Sequence, residues 1–409
     1  MHIMTTCRME WVCHEREELK VIVIVDAVRT AMGGFQGALS ACTAPELGAV
    51  AIQNVVARAG VAVEEIDEVI FGCVLPAGLK QGPARQAMRL AGIPDATGAV
   101  TINKICGSGM KALMQGADMI KAGSAKIVVA GGMESMSNAP YLLPKARGGY
   151  RMGHGEVKDH MFLEGLEDAE TGLSMGVLAQ KMADDKGYSR EQMDAFAISS
   201  LNKAVTAIEN GYFDAEIAAV TVKTRRGEQV VAQDEQPLNA KVDKIPTLRP
   251  AFKKDGTITA ANASSISDGA SALLLTSADT AAAKGLKPLA QVVAYASHSQ
   301  HPSEFTLAPV GAIEKVLQQT GWNAAEVDLW EVNEAFAMVA MLAIDAFELD
   351  EAKVNCNGGA CALGHPLGSS GSRIIVTLIH ALKRTGGKKG IATLCIGGGE
   401  ATAIAVELL

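Results

Sequence analysis

Three observations predict an α/β chain built on a doubly wound, mostly parallel sheet. Short β-branched apolar runs alternate with segments of helical periodicity near both ends of the sequence. Aromatic residues make up only 4% of the 409 residues while glycine numbers 42, which suits helices packed tightly on sheets better than an all-β sandwich. Landmarks of the first half also return in the second, which implies a duplicated domain. A chain of this length is expected to divide into two or three domains or subdomains.

Taken in order, residues 21–26, VIVIVD, read as a strand buried on both faces. Residues 44–60 set Leu47, Val50, Ile52, Val55 and Val56 at helical spacing and end at Gly60, a C-cap. Strands are expected at 69–72 and 100–103, with a helix at 85–90 between them. A helix over 110–122 follows, closed by Gly123, and then a strand at 126–130 stopped by Gly131 and Gly132. Between Met133 and Ser265 long polar and glycine-rich stretches interrupt two helical patterns, 172–186 and 190–210, the second capped by Ser189 ahead of Gln192. This part reads as an insertion, of the kind that forms a lid or binding surface. The echo then begins: EEIDEVIFG at 64–72 matches AEVDLWEVN at 325–333, and AKIVVAGGMES at 125–135 matches GIATLCIGGGEA at 390–401. The offsets are 261 from Asp67 to Asp328 and 266 from Glu134 to Glu400. They pair the turn at 103–110 with the glycine-rich stretch at 355–371, so that equivalent turns of two sheets would meet at one cleft.

Composition excludes several classes. A net charge of −8 argues against a nucleic-acid partner. The eight cysteines, at 7, 13, 42, 73, 106, 356, 361 and 395, form no CxxC pair and no zinc spacing, which argues against a metal site and for reduced thiols in a cytosolic compartment. No apolar run is long enough to span a bilayer. Residues 1–20 lack an apolar core, and Glu10, Glu15, Glu17 and Glu18 argue against an organelle transit peptide.

The chemistry centres on NKICGSGM at 103–110. A thiol at the first turn of a helix meets unpaired N–H groups and the positive end of the macrodipole, so Cys106 is expected to favour thiolate. Gly107 and Gly109 would permit left-handed dihedrals and leave room for a substrate. His365 stands in LGHPLGSSG, in the turn that duplication pairs with Cys106. Cys395 ends a strand before three glycines, and Asn333 follows a strand in WEVNEAFA, where a plain N-cap is the bland alternative.

Together NKICGSGM, WEVNEAFA, GHPLGSSG and CIGGGEA, with VDAVRT at 25–30, AGGMESMS at 130–137 and LRPAFKKDGTITAANASSISDGA at 248–270, resemble the thiolases, the family of acetyl-CoA acetyltransferases and 3-ketoacyl-CoA thiolases. The resemblance runs from about residue 20 to the end. It implies a duplicated five-layered αβαβα fold with an inserted loop domain. The implied divisions are an extension at 1–20, an N-terminal half at 21–136, a coenzyme A-binding insertion at 137–266, a return at 267–287 and a C-terminal half at 288–409. It implies a ping-pong Claisen condensation or its thiolytic reverse, acting on acyl-CoA and coenzyme A with no metal or redox cofactor. Cys106 would be the nucleophile and His365 the base that activates it. Cys395 would be the second acid/base, and Asn333 would hold a water in one oxyanion hole. The N–H groups of Cys106 and Gly397 would form the second hole. Ser264 would lie by the pantetheine arm and Phe252 and Phe336 would line the acyl pocket, while Met175, which fits the family's Met-Gly, and Ala263 are further candidates for contact with substrate or coenzyme A.

The chemistry asks for these residue types. A thioester exchanges readily with another thiolate, and an enolate needs both a second base and fixed donors on its oxygen. Ser174 stands where short-chain biosynthetic members commonly carry histidine, so the sequence leaves a degradative enzyme for longer 3-ketoacyl chains as an alternative. A non-catalytic acyl-CoA or lipid-binding relative would lack one of the four reactive side chains, and all four are present. A ketoacyl synthase-like enzyme would lack Cys395. Lys241, Lys244 and Lys253 are candidates for the coenzyme A phosphates. The family suggests a homodimer or homotetramer, and a cytoplasmic enzyme without a membrane partner.

Overall fold

The computed structural model describes residues 20–225 and 227–409; the extension expected at 1–20 lies outside them apart from Lys20, as do Cys7 and Cys13. The first half runs β1 (Ile22–Thr30), α1 (Ala44–Ala59), β2 (Glu68–Gly72), α2 (Pro83–Leu90), β3 (Gly98–Ile102), α3 (Ser108–Lys121) and β4 (Ile127–Ser135). The insertion carries α4 (Met175–Lys186) and α5 (Arg190–Glu209), after which β5 (Ser267–Ser277) and α6 (Ala278–Lys284) return to the first half. The second half runs β6 (Ala290–Ser299), α7 (Ala308–Thr320), β7 (Leu329–Val332), α8 (Ala337–Phe347), α9 (Leu367–Thr385), β8 (Lys389–Ile396) and β9 (Glu400–Leu408).

Local chemistry sets these boundaries. Thr43 and Glu46 close a capping box on α1, and Gly60 ends it at φ +68, a conformation glycine adopts without strain. Ser189 accepts from the Gln192 N–H while the Gln192 side chain caps in return, as the sequence predicts. The strand of the KIVVA run does not stop at its glycines. β4 continues through Gly131 and Gly132 to Ser135, because both sit in ordinary strand register against Ala272 and Ser271 of β5.

The sheet corrects the parallel expectation. Its main path is β7-β8-β9-β6-β1-β5-β4-β2-β3. Only β2–β3, β2–β4 and β7–β8 are parallel pairs along it, whereas β1–β5, β4–β5, β1–β6, β6–β9 and β8–β9 are antiparallel. Strand–helix alternation predicts parallel neighbours. β5 instead re-enters from the insertion running against β1 and β4, and β9 returns against β8 through a glycine turn with no helical crossover between them.

α3 and α9 lie between the two halves of the sheet in one shared core that includes Met110, Leu113, Met114, Ile374, Ile375 and Leu378. α1 and α2 cover the outer face of the first half, and α7 and α8 that of the second. This gives five layers, α-β-α-β-α. Every residue of α9 from Leu367 to Leu382 is buried, and each large aliphatic among them contributes roughly 2 kcal/mol by leaving water. The insertion is fastened to β1 by Arg29, whose guanidinium, fully buried, meets Glu216 at 2.6 Å and Asp234 at 2.7 and 2.8 Å. Removing one partner of such a buried pair typically costs about 3–5 kcal/mol.

The duplication is visible at the level of single atoms. The Asp67 carboxylate accepts from the N–H groups of Lys126 and Ile127, and Asp328 accepts in the same way from Lys388 and Lys389. Glu134 and Glu400 are not a structural pair. Glu134 lies near the end of β4, whereas Glu400 opens β9 beyond the turn at Gly397–Gly399, which accounts for the larger offset.

Candidate active site

The Cys106 turn is built by its neighbours. Ser108 Oγ accepts from the Lys104 N–H at 2.8 Å and donates to Ile105 O at 2.7 Å, closing the turn ahead of α3. The positive φ falls on Ile105, at +46, a strained position for a β-branched residue. It does not fall on Gly107, whose φ is −80. The glycines make room for protein instead of substrate. A Cβ on Gly107 would lie 2.3 Å from Ile396 Cδ1, and one on Gly109 would lie 2.5 Å from Ser372 Oγ. Close approach of β8 and α9 is therefore what this Gly-Ser-Gly permits.

Cys106 is 9% exposed. Burial pushes its thiol up to about 12, and the nearby Glu134 adds to this, against hydrogen bonds from the N–H groups of Gly397 and of Cys106 itself. The resting group is therefore a thiol, not the thiolate expected from its place at a helix start, because desolvation outweighs the terminal N–H groups. Those same two N–H groups lie against the sulfur.

His365 precedes α9, and its N–H is shared between Ser265 O and Ser267 Oγ, both at 3.2 Å. Its Nδ1 lies 2.5 Å from Ser370 Oγ, whose one proton goes to Pro366 O at 3.0 Å. Ser370 must then accept from Nδ1–H, which leaves the lone pair on Nε2. Nε2 is buried with no partner in the protein. Burial, with Arg373 adding to it, lowers the imidazole to about 3, so the resting ring is neutral.

Cys395 sits on β8, 1% exposed, its thiol raised by burial and by the neighbouring Cys106. Asn333 directly follows β7 and its N–H donates to Thr393 O at 3.0 Å. Its side chain caps nothing, since Phe336 is the N-cap residue of α8. Both amide atoms of Asn333 are buried and unpartnered, so the bland N-cap reading fails. The first turns of α3 and α9 bring the His365 segment to the cysteine turn: a Cβ on Gly371 would lie 2.5 Å from the Met110 nitrogen.

The pocket residues cluster similarly. Met175 packs on Gly397, with its Sδ 3.9 Å from where a Cβ there would be. Ala263 pairs with Phe336, and the Ser264 N–H donates to Ala335 O at 2.9 Å. Phe252 and Phe336 meet edge to face at 6.2 Å, and Phe305 joins Phe336 at 6.4 Å. Phe305 was not legible in the sequence, because no pattern ties it to the other two rings. Lys241 and Lys244 line a cleft of about 360 Å³ with Leu248, Ala260 and Ser265, whereas Lys253 is engaged by Asp184 at 2.6 Å. Sequence reasoning also missed Glu334, whose carboxylate accepts from Ser200, Asn355 and the Cys361 N–H and so holds the segment leading to His365. Among the described residues no group of three or more His, Cys, Asp or Glu side chains could hold a metal ion.

The thiolase N-terminal domain matches residues 22–279 and the thiolase C-terminal domain residues 286–408. The acetyl-CoA acetyltransferase of Pseudomonas aeruginosa is 49% identical over 385 residues, 94% of this chain and 98% of that one. The Escherichia coli acetyl-CoA acetyltransferase is 48% identical over 393 residues, 96% of this chain and 100% of that one. The crystal structure of the Bacillus anthracis acetyl-CoA acetyltransferase superposes with a TM-score of 0.93 at 43% identity, covering 96% of this chain and 99% of that one. An Ascaris suum thiolase, Acat5, solved in complex with coenzyme A, gives 0.90 at 43% identity, covering 95% and 100%. The chain belongs to the thiolase family.

Proposed function

We propose that this protein is an acetyl-CoA C-acetyltransferase, joining two acetyl-CoA into acetoacetyl-CoA and coenzyme A or running the thiolytic reverse through an acyl-enzyme on Cys106. One observation supports the reading: Cys106 and Cys395 are buried thiols close enough for Cys395 to feel the charge of Cys106, and the two amide atoms of Asn333 and the Nε2 of His365 are buried with no protein partner.

Nε2 of His365 takes the Cys106 proton as Sγ attacks the thioester carbonyl. The N–H groups of Cys106 and Gly397 hold the resulting oxyanion, an arrangement worth roughly 3–4 kcal/mol per donor. Coenzyme A leaves as a thiol by taking the Cys395 proton, which makes Cys395 the base for the second acetyl-CoA. As Cys395 removes the α-proton, Nε2–H of His365 and the Asn333 amide, through a water, stabilise the enolate oxygen. The enolate carbon attacks the acetyl group on Cys106. The departing sulfur recovers its proton from His365, and every group returns to its starting state. The reaction calls for no metal or redox cofactor.

The cleft bearing Lys241 and Lys244 suits the phosphates of coenzyme A, and one of its lining residues, Ser265, accepts a hydrogen bond from the main-chain N–H of His365, which supports that reading. The six cysteines among the described residues are free thiols, which supports a reducing, cytoplasmic setting, and no helix among those residues is long and apolar enough to cross a membrane. Assembly into a homodimer or homotetramer is supported by the edge strand β3 with Val100 exposed, and by the hairpin of Tyr141–Leu142 and Lys158–Asp159, where Tyr141, Met152 and Val157 are exposed.

The test is thiolysis of acetoacetyl-CoA beside that of a long-chain 3-ketoacyl-CoA, with Cys106→Ser as control. Preference for acetoacetyl-CoA, lost about a thousandfold or more in the variant, is expected. Preference for the long chain would identify a degradative thiolase, and near-normal turnover by Cys106→Ser would refute the mechanism.

A further inference from the structure

Glu134 is fully buried near the end of β4, and the mechanism above gives it no part. Its Oε2 accepts from the N–H groups of Val74 and Gly368, both at 2.9 Å, and its Oε1 accepts from Leu75 N–H at 3.1 Å and faces Cys73 Sγ at 3.7 Å. These partners belong to different halves of the fold. Gly368 lies in the first turn of α9, whose Ser370 holds His365 Nδ1. Val74 O accepts from Asn103 Nδ2 at 3.4 Å, and Asn103 Oδ1 accepts from the Ile105 N–H at 2.9 Å, beside Cys106. A continuous hydrogen-bonded path therefore runs from the turn of the base, through one carboxylate, to the turn of the nucleophile.

The surroundings are shaped around this contact. A Cβ on Gly132 would lie 1.8 Å from Gly368 O, and one on Gly72 would lie 2.5 Å from the same oxygen. The start of α9 is thus pressed into the ends of β2 and β4. A carboxylate at that helix start also meets the positive end of the dipole and unsatisfied N–H groups.

We propose that Glu134 is a positioning residue that fixes the base-bearing turn of α9 against the Cys106 turn, and so sets the reach of His365 Nε2 to the thiol. The proposal rests on the acyl-enzyme reading above. A glutamine here keeps the shape but cannot serve both sides. Its carbonyl can accept from Val74 and Gly368, while its NH2 opposes the Leu75 donor. The path would survive on one edge only, with the side chain pushed out of place.

The experiment measures acetyl transfer to Cys106 from acetyl-CoA, with steady-state thiolysis, in Glu134→Gln, Glu134→Asp and Asn103→Ala. Asn103 is exposed, so its variant tests the path without burdening the core. Misplacement of about 1 Å can cost a hundredfold, so Glu134→Gln is expected to lose about ten- to a hundredfold in kcat with KM nearly unchanged. Glu134→Asp, which keeps the charge, should recover part of that loss, and Asn103→Ala should lose about threefold or more with the same split. If Glu134→Gln does not fold, the other two variants carry the test. Full kcat in Asn103→Ala together with full kcat in either Glu134 variant would overturn the proposal, as would losses that fall on KM. Acetylation that persists in Cys106→Ser would strike the acyl-enzyme reading itself, whatever Glu134 does.

Discussion

The two halves share a plan but differ at the turn that each contributes to the cleft. In the first half, β3 leads through a strained Ile105 into α3, and the turn presents a thiol beside two N–H groups. In the second, a glycine at φ +109 leads into His365 and α9, and the turn presents an imidazole whose tautomer Ser370 fixes. The shared part is the frame: Asp67 and Asp328 make the same pair of bonds at the base of equivalent strands. The difference teaches that duplication supplied two equivalent turns near one cleft, and that their side chains then took unequal jobs, one accepting the acyl group and the other moving protons. Burial allows the division, because a neutral thiol and a neutral imidazole can coexist in a dry site where a resting ion pair would be costly.

The sharpest way to break the comparison is to remove the device peculiar to the second turn. Ser370→Ala frees Nδ1 and lets the imidazole adopt the other tautomer, so acetylation of Cys106 is expected to slow about tenfold or more. The substitution also strands the buried Nδ1–H of His365, so a stability loss of about 1–3 kcal/mol is expected beside the slower acetylation. An unchanged acetylation rate would mean that Ser370 does not hold the tautomer. A smaller effect is expected from the shared frame. Asp67→Ala and Asp328→Ala should each lower stability by about 1–2 kcal/mol in denaturant unfolding, by similar amounts and with little change in kcat. A loss confined to one of them would show that the halves carry unequal structural weight.

Much of this was legible in the sequence because it rests on local chemistry. The capping box at Ser189 and the C-cap at Gly60 depend on near neighbours, and they fold as read. The strand expected at 21–26 forms but runs on through Ala27–Thr30, which read as a loop, because Ala27, Val28 and Arg29 pair with β5. The four reactive side chains could be named because each stands in its own short motif. What stayed hidden depends on contacts far apart in the chain. The antiparallel return of β5 follows an insertion of more than a hundred residues, and periodicity says nothing of strand direction. The thiolate expected at Cys106 fails because the depth of burial is a property of packing. Ser370, Glu134 and Phe305 reveal their roles only when an imidazole nitrogen, an α9 amide or another ring is placed beside them.

The account's central claim, two cysteines with separate jobs, is tested most directly by Cys395→Ala incubated with acetyl-CoA alone. Removing the second base should leave one acetyl group on the Cys106 peptide of each chain, seen by mass spectrometry, with no acetoacetyl-CoA formed. Acetoacetyl-CoA produced at a near-normal rate, or an acetyl group found anywhere other than Cys106, would contradict it.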